Sequence, residues 1–175
     1  MPLLNYAKGH KPAADKPCAS AWLLALALTG SLGLDSASAQ TQTEQAAVER
    51  GRYLVQASGC NDCHTPGYPE AAGQVDERLW LTGSPLGWRG PWGTTYASNL
   101  RQVVQALDEQ QWLSHARTPR RPPMPWFNLR TMSDADLTAI YHYLRHLGAA
   151  GAAMPAYVPA GQEPSGPYVQ FPSAP

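Results

Sequence analysis

Cys60-Asn61-Asp62-Cys63-His64 is the stretch on which the reading of this chain turns. Two cysteines three apart, with a histidine directly after the second, form the C-x-x-C-H pattern of covalent haem attachment. The chemistry needs these residue types in this order. Two thiols add across the two vinyl groups of the macrocycle as thioethers, and two intervening residues let the chain turn so that both sulfurs reach one edge. His64 is then swung under the iron and can ligate it through its imidazole. Three other readings compete. A zinc ribbon needs a second pair of ligands, and the remaining cysteine, Cys18, lies in a segment expected to be removed. A thioredoxin-type C-x-x-C belongs in a βαβ setting, which this sequence lacks. A plain disulfide between Cys60 and Cys63 is geometrically open.

Charge is spread unevenly on either side of the motif. The 175-residue chain is neutral overall, so it carries no nucleic-acid footprint. Its three lysines, Lys8, Lys11 and Lys16, all lie near the start, and beyond Gln40 ten arginines face eleven Asp and Glu. A basic opening, the apolar run Ala21 to Leu34 and the small-x-small triplet Ala37-Ser38-Ala39 read as a secretory signal peptide over residues 1–39. A membrane anchor is the weaker reading, because a 14-residue apolar run holding Gly30 and Gly33 falls short of the roughly 20 residues a span needs. The expected product runs from Gln40 to Pro175, is exported to the periplasm, has no stable membrane span and keeps two cysteines.

The coarse pattern is helices joined by long loops. Thr43 to Ser58 reads as a helix with Ala46, Ala47, Val48, Leu54 and Val55 on its apolar side, ended by Gly59. Gly51 within it costs stability, which implies close crossing by another helix. His64 to Asn99 is rich in Gly, Pro and Trp and has no sustained period. A loop that long needs something to wrap, and haem is such an object. Asn99 to Asp108 and Glu109 to Arg117 read as two short helices, the second capped by Asp108. Ser133-Asp134-Ala135-Asp136 resembles a capping box. Leu137, Ile140, Tyr141, Leu144 and Leu147 then mark one helical face, stopped by Gly148. Residues 40–148 are therefore the expected domain. Residues 149–175 form a Pro/Ala/Gly-rich extension whose one charge is Glu163. A disordered tail and an extended segment packed through Tyr157, Tyr168 and Phe171 are both open.

CNDCH after an N-terminal helix, a methionine in a proline loop and a C-terminal helix together resemble class I (mitochondrial-like) cytochrome c, over roughly Glu44 to Leu147. The segments PWGTTYASNL and PPMPWFNLRTMSDADLTAIYHYLRHL look like small exported bacterial cytochromes and cytochrome subunits of periplasmic dehydrogenases. The resemblance implies an all-α cytochrome c fold, with N- and C-terminal helices crossing beside one covalently attached haem c. That crossing gives Gly51 its role. The resemblance also implies that Cys60 and Cys63 carry the thioethers, that His64 is the proximal iron ligand and that the methionine before the last helix is the distal one. A backbone carbonyl should accept from the second ring nitrogen of His64, with Pro85 and Pro91 as candidates. Trp92, Tyr96 and Asn99 fall at haem-pocket positions, and Trp126, like Trp80 and Trp112, is a core or haem-packing aromatic.

The sixth ligand is to be chosen among Met124, Met132, Met154, His115, His142 and His146. His/Met pairing suits electron transfer and raises the potential, and a carrier needs its ligand on a rigid segment. Pro122, Pro123 and Pro125 fix their own φ angles and restrict the residues before them, which singles out Met124. Met132 precedes the cap Ser133, where a hydrophobic residue staples the helix start toward Leu137. His142 and His146 fall on a solvated helix face, and His115 packs or caps near a helix end. Arg89, Arg120 and Arg121 are surface charges first, with haem propionates or a docking partner as the functional alternative. The expected function is single-electron transfer between redox partner proteins. The alternatives are a haem subunit of a dehydrogenase or sulfur-oxidising complex, and a haem-based sensor, which the proline fence disfavours.

Overall fold

Helix α1 runs from Ser31 to Ala57 in the computed structural model, which describes residues 31–172, with side chains from residue 38. It starts well before the expected Thr43, because no proline or glycine interrupts the chain from Leu34 to Arg50. Most of the expected signal peptide lies outside the described residues. The chain divides into two compact units, Met1–Gln40 and Thr41–Pro175, and every element from α2 onward belongs to the second.

The crossing anticipated at Gly51 is present. A Cβ there would lie 2.0 Å from the Ala139 carbonyl oxygen and 2.7 Å from the Tyr143 Cβ, so only glycine admits helix α6 (Asp134–Leu147) at this distance. Arg50 pairs with Asp136 at 2.9 Å beside the crossing. Arg52 grips both oxygens of Glu77 at 2.9 and 3.1 Å, and the Tyr143 hydroxyl donates to the same carboxylate at 2.7 Å. Leu54, Val55, Leu81, Val104, Leu137 and Leu144 form the buried core around this contact.

Short helices lead up to α6, and those starting at Leu100 and Glu109, like α6 itself, begin at a capping side chain, whereas the one after Pro125 begins without one. Asn99 accepts from the Gln102 N–H to start α3 (Leu100–Val103), which runs on into a 3-10 turn at Val104–Ala106. Asp108 and Gln111 form a reciprocal capping box on α4 (Glu109–Ala116). Helix α5 (Trp126–Thr131) follows the proline loop, and Ser133 caps α6 through the Asp136 N–H. Gly148 closes α6 at φ 69°. Arg101 is buried, and its guanidinium donates to the carbonyls of Gly148 (2.6 Å), Arg78 (2.7 Å) and Leu147. It thereby satisfies orphan carbonyls at the end of α6.

The helices do not make up the whole fold, and the all-α expectation is corrected by a small sheet. Strands β1 (Gly87–Gly90) and β2 (Gly93–Tyr96) pair antiparallel across Pro91-Trp92, and β3 (Tyr168–Gln170) pairs parallel with β1. Each run is too short to show a period, though Trp, Thr and Tyr favour strands and Gly-Pro marks the turn. The extension beyond Gly148 is therefore packed chain, as its three aromatics allowed. Val158 exchanges two backbone hydrogen bonds with Thr94, at 2.8 and 3.0 Å. Phe171 meets the rings of Trp88 and Trp92 at 6.0 and 5.3 Å.

Candidate haem site

Helix α2 is the motif itself, Cys60–His64, entered through Gly59 at φ 69°. One helical turn brings i, i+3 and i+4 onto a single face, and here those positions are Cys60, Cys63 and His64. Both cysteines are free thiols. Among the described residues no group of three or more His, Cys, Asp or Glu is placed to hold a metal ion, so the zinc reading has no ligand set. Asn61 and Thr65 fix the turn from beneath. The Thr65 hydroxyl donates to Asn61 Oδ1 at 2.7 Å and accepts from the Leu81 N–H at 2.8 Å, all of it buried.

The motif opens onto a cavity of about 580 Å³, within the usual range for a small-molecule or cofactor site. Cys60, Cys63 and His64 line it together with Met124 and Met132. Much of the remaining wall is apolar, with Ala97, Leu100, Leu129 and Ile140 among the lining residues. Two thiols, an imidazole and a thioether around an apolar cavity suit a flat, largely apolar macrocycle with a metal at its centre.

Burial and one hydrogen bond set the state of His64. It is 7% exposed, and its Nδ1 lies 2.8 Å from the Ser98 carbonyl. Burial lowers its pKa, and the Ser98 carbonyl opposes that only in part. A neutral imidazole that donates through Nδ1 keeps the Nε2 lone pair for a metal. The orienting carbonyl is therefore Ser98, and neither Pro85 nor Pro91. The β2–α3 connection brings Ser98 over the motif from 34 residues away. Burial, reinforced by Asp62, pushes the Cys60 thiol up to about 11, and the same two causes raise Cys63.

The other expected positions divide. Tyr96 lines the cavity, but Trp92, Asn99 and Trp126 do not. The Trp92 ring lies over Gly90 and against Phe171. Asn99 is buried and spends its amide on the carbonyls of Ala150 (2.8 Å) and Ala152 (3.1 Å). Trp126 faces Phe127 and lies under Arg130, 5.0 Å from ring centre to guanidinium. Arg120 and Arg121 reach the cavity, whereas Arg89 pairs with Glu163 and stacks on Tyr168. Met124 and Met132 both reach it, so Met132 is more than a staple. His142 sits 3.3 Å from Glu109, away from the site. Trp112, expected as a core or haem-packing aromatic, and His115, a candidate sixth ligand, line the cavity, and Trp88 joins them beyond the expected set. His115 stacks on Trp112 at 6.3 Å, and burial together with Arg120 lowers its pKa. Its i+3 spacing from Trp112 was the available signal.

The cytochrome c family model matches residues 48–148. A curated relative, the gluconate 2-dehydrogenase cytochrome c subunit of Pantoea cypripedii, is 29% identical over 137 residues, covering 71% of this chain. The chain spans only 28% of that relative's length. No solved structure matches the chain. A family match over more than half of its length makes this chain a member of the cytochrome c family, with a covalently bound haem c.

Proposed function

We propose that this protein is a periplasmic mono-haem cytochrome c that passes single electrons between redox partner proteins, with His64 and Met124 as the iron's axial ligands. When bound, the haem supplies one-electron chemistry between ferrous and ferric iron. The protein supplies attachment at Cys60 and Cys63, a neutral oriented imidazole, a thioether and a largely apolar cavity. The observation carrying the reading is that His64, held from behind by Ser98, lines the same cavity as Met124. Met124 precedes Pro125, and its carbonyl accepts from the Trp126 N–H at 2.9 Å, so its backbone is held on both counts. A ligand on fixed backbone costs little reorganisation when the iron changes charge.

Met124→Ala tests the assignment on the loaded protein. The weak red charge-transfer band of sulfur-to-iron ligation should vanish, and the midpoint potential should fall. If the band survives that change and disappears with Met132→Ala, the second methionine holds the iron. Export is checked by the N-terminus of protein recovered from the periplasm, expected at Gln40. Among the described residues no helix is long and apolar enough to cross a membrane.

A second reading draws on the curated relative, which is a cytochrome c subunit of a dehydrogenase. On that reading this chain is a haem-bearing subunit whose electrons come from a neighbouring dehydrogenase. Co-purification with a flavin, molybdenum or quinoprotein partner separates it from a free shuttle.

A further inference from the structure

The family match ends at residue 148, yet the chain beyond it reaches back to both supports of the candidate iron ligands. On the His64 side, Ala150 and Ala152 accept from Asn99, the neighbour of the Ser98 carbonyl that orients the imidazole. Gln102 adds a bond to the Gly151 carbonyl at 2.7 Å. On the Met124 side the contact is through Tyr157. Its ring lies 4.0 Å from the Arg121 guanidinium, and its hydroxyl donates to the Trp92 carbonyl at 2.8 Å. Val158, next along, is paired with Thr94 of β2. Thr95 then donates its hydroxyl to the Pro122 carbonyl at 2.9 Å.

Arg121 and Pro122 lead directly into Pro123 and Met124. The extension holds the first of these itself and the second through the strand it pairs with. We propose that Tyr157 is a positioning residue for Met124. By holding Arg121, it keeps the methionine loop closed against the cavity, so that the sixth iron position is not yielded to a competing ligand. The proposal rests on Met124 being that ligand. Tyr157 does not line the cavity, so it acts through Arg121 and never on the iron. A cation–π contact on a partly exposed ring is modest. Its loss should enlarge an open minority without abolishing the closed state.

The test is a carbon monoxide titration of the reduced, haem-loaded full chain. Tyr157→Leu should raise the apparent affinity for carbon monoxide about three- to fivefold. Tyr157→Phe keeps the ring under Arg121 and should stay near the parent value, although it loses the bond to Trp92. If Tyr157→Leu does not fold, Arg121→Gln removes the cation with the extension left in place, and it should give the same rise. An unchanged carbon monoxide affinity in Tyr157→Leu, or in Arg121→Gln where the first is unfolded, overturns the proposal, even if the unfolding midpoint falls. Met124→Ala is measured alongside. If it opens the site while the Tyr157 variants do nothing, the positioning role fails and the ligand assignment stands. If it neither opens the site nor alters the spectrum, the assignment itself fails.

Discussion

Met124 and Met132 reach one cavity from opposite ends of α5, and what stands beside each separates their work. Met132 also packs against the core, and its carbonyl accepts from Arg117 at 3.2 Å. Met132→Ala should therefore keep the His/Met spectrum and cost about 1–2 kcal/mol, the low end for a buried methionine because this one is half-exposed. Urea unfolding of the loaded protein measures it. At this scale the motif was legible because its chemistry is local, three side chains within one helical turn. Ser98 was not legible. Its carbonyl carries no side-chain signal, and only the hairpin's return brings it to the His64 ring. Trp92 and Asn99 were assigned to the pocket by the family resemblance. Neither lines the cavity: Trp92 meets Phe171 and Asn99 bonds Ala150 and Ala152, contacts with the extension that no local signal announces.

Among the elements, α1 and α6 show the reverse case, in which a residue costly by local propensity revealed a distant contact. Gly51 weakens a helix interior, and it is tolerated because Ala139 and Tyr143 leave no room for a Cβ. Gly51→Ala should destabilise the protein by about 1–3 kcal/mol despite its better helix propensity. Thermal unfolding against an exposed α1 control such as Gln56→Ala checks it. The same crossing carries a pH signature. The Arg52 hydrogen bond holds Glu77 below its ordinary range, with burial opposing and Tyr143 assisting. A depressed folded value means that its stabilisation is complete above the ordinary Glu pKa of about 4.3 and is lost as pH falls through the lower folded value. Glu77→Gln should lower stability at neutral pH and flatten the acid side of the profile. Urea midpoints from about pH 3 to pH 6 measure this. The hairpin was the element hidden from the sequence, because four-residue strands rich in glycine carry no usable alternation.

For the molecule as a whole, the first and last helices, the caps at Asp108 and Ser133 and the central crossing followed from the sequence, and α5 did not. The sheet and the course of the last residues did not, because both depend on contacts made across most of the chain. That distance has a consequence of its own. Gln170 meets Arg89 across 81 residues, and β3 contributes only three residues, all exposed. Closing so long a loop for so few bonds is entropically expensive. The pairing is therefore the last to form as the chain folds and the first to open afterwards. If the chain is exported as proposed, it meets proteases that sample whatever opens. Trimming would proceed inward from β3 and stop where Asn99 and Arg101 grip the backbone between Gly148 and Ala152, just past the end of the family match. Whether the tail survives in the cell then depends on how fast a three-residue strand recloses.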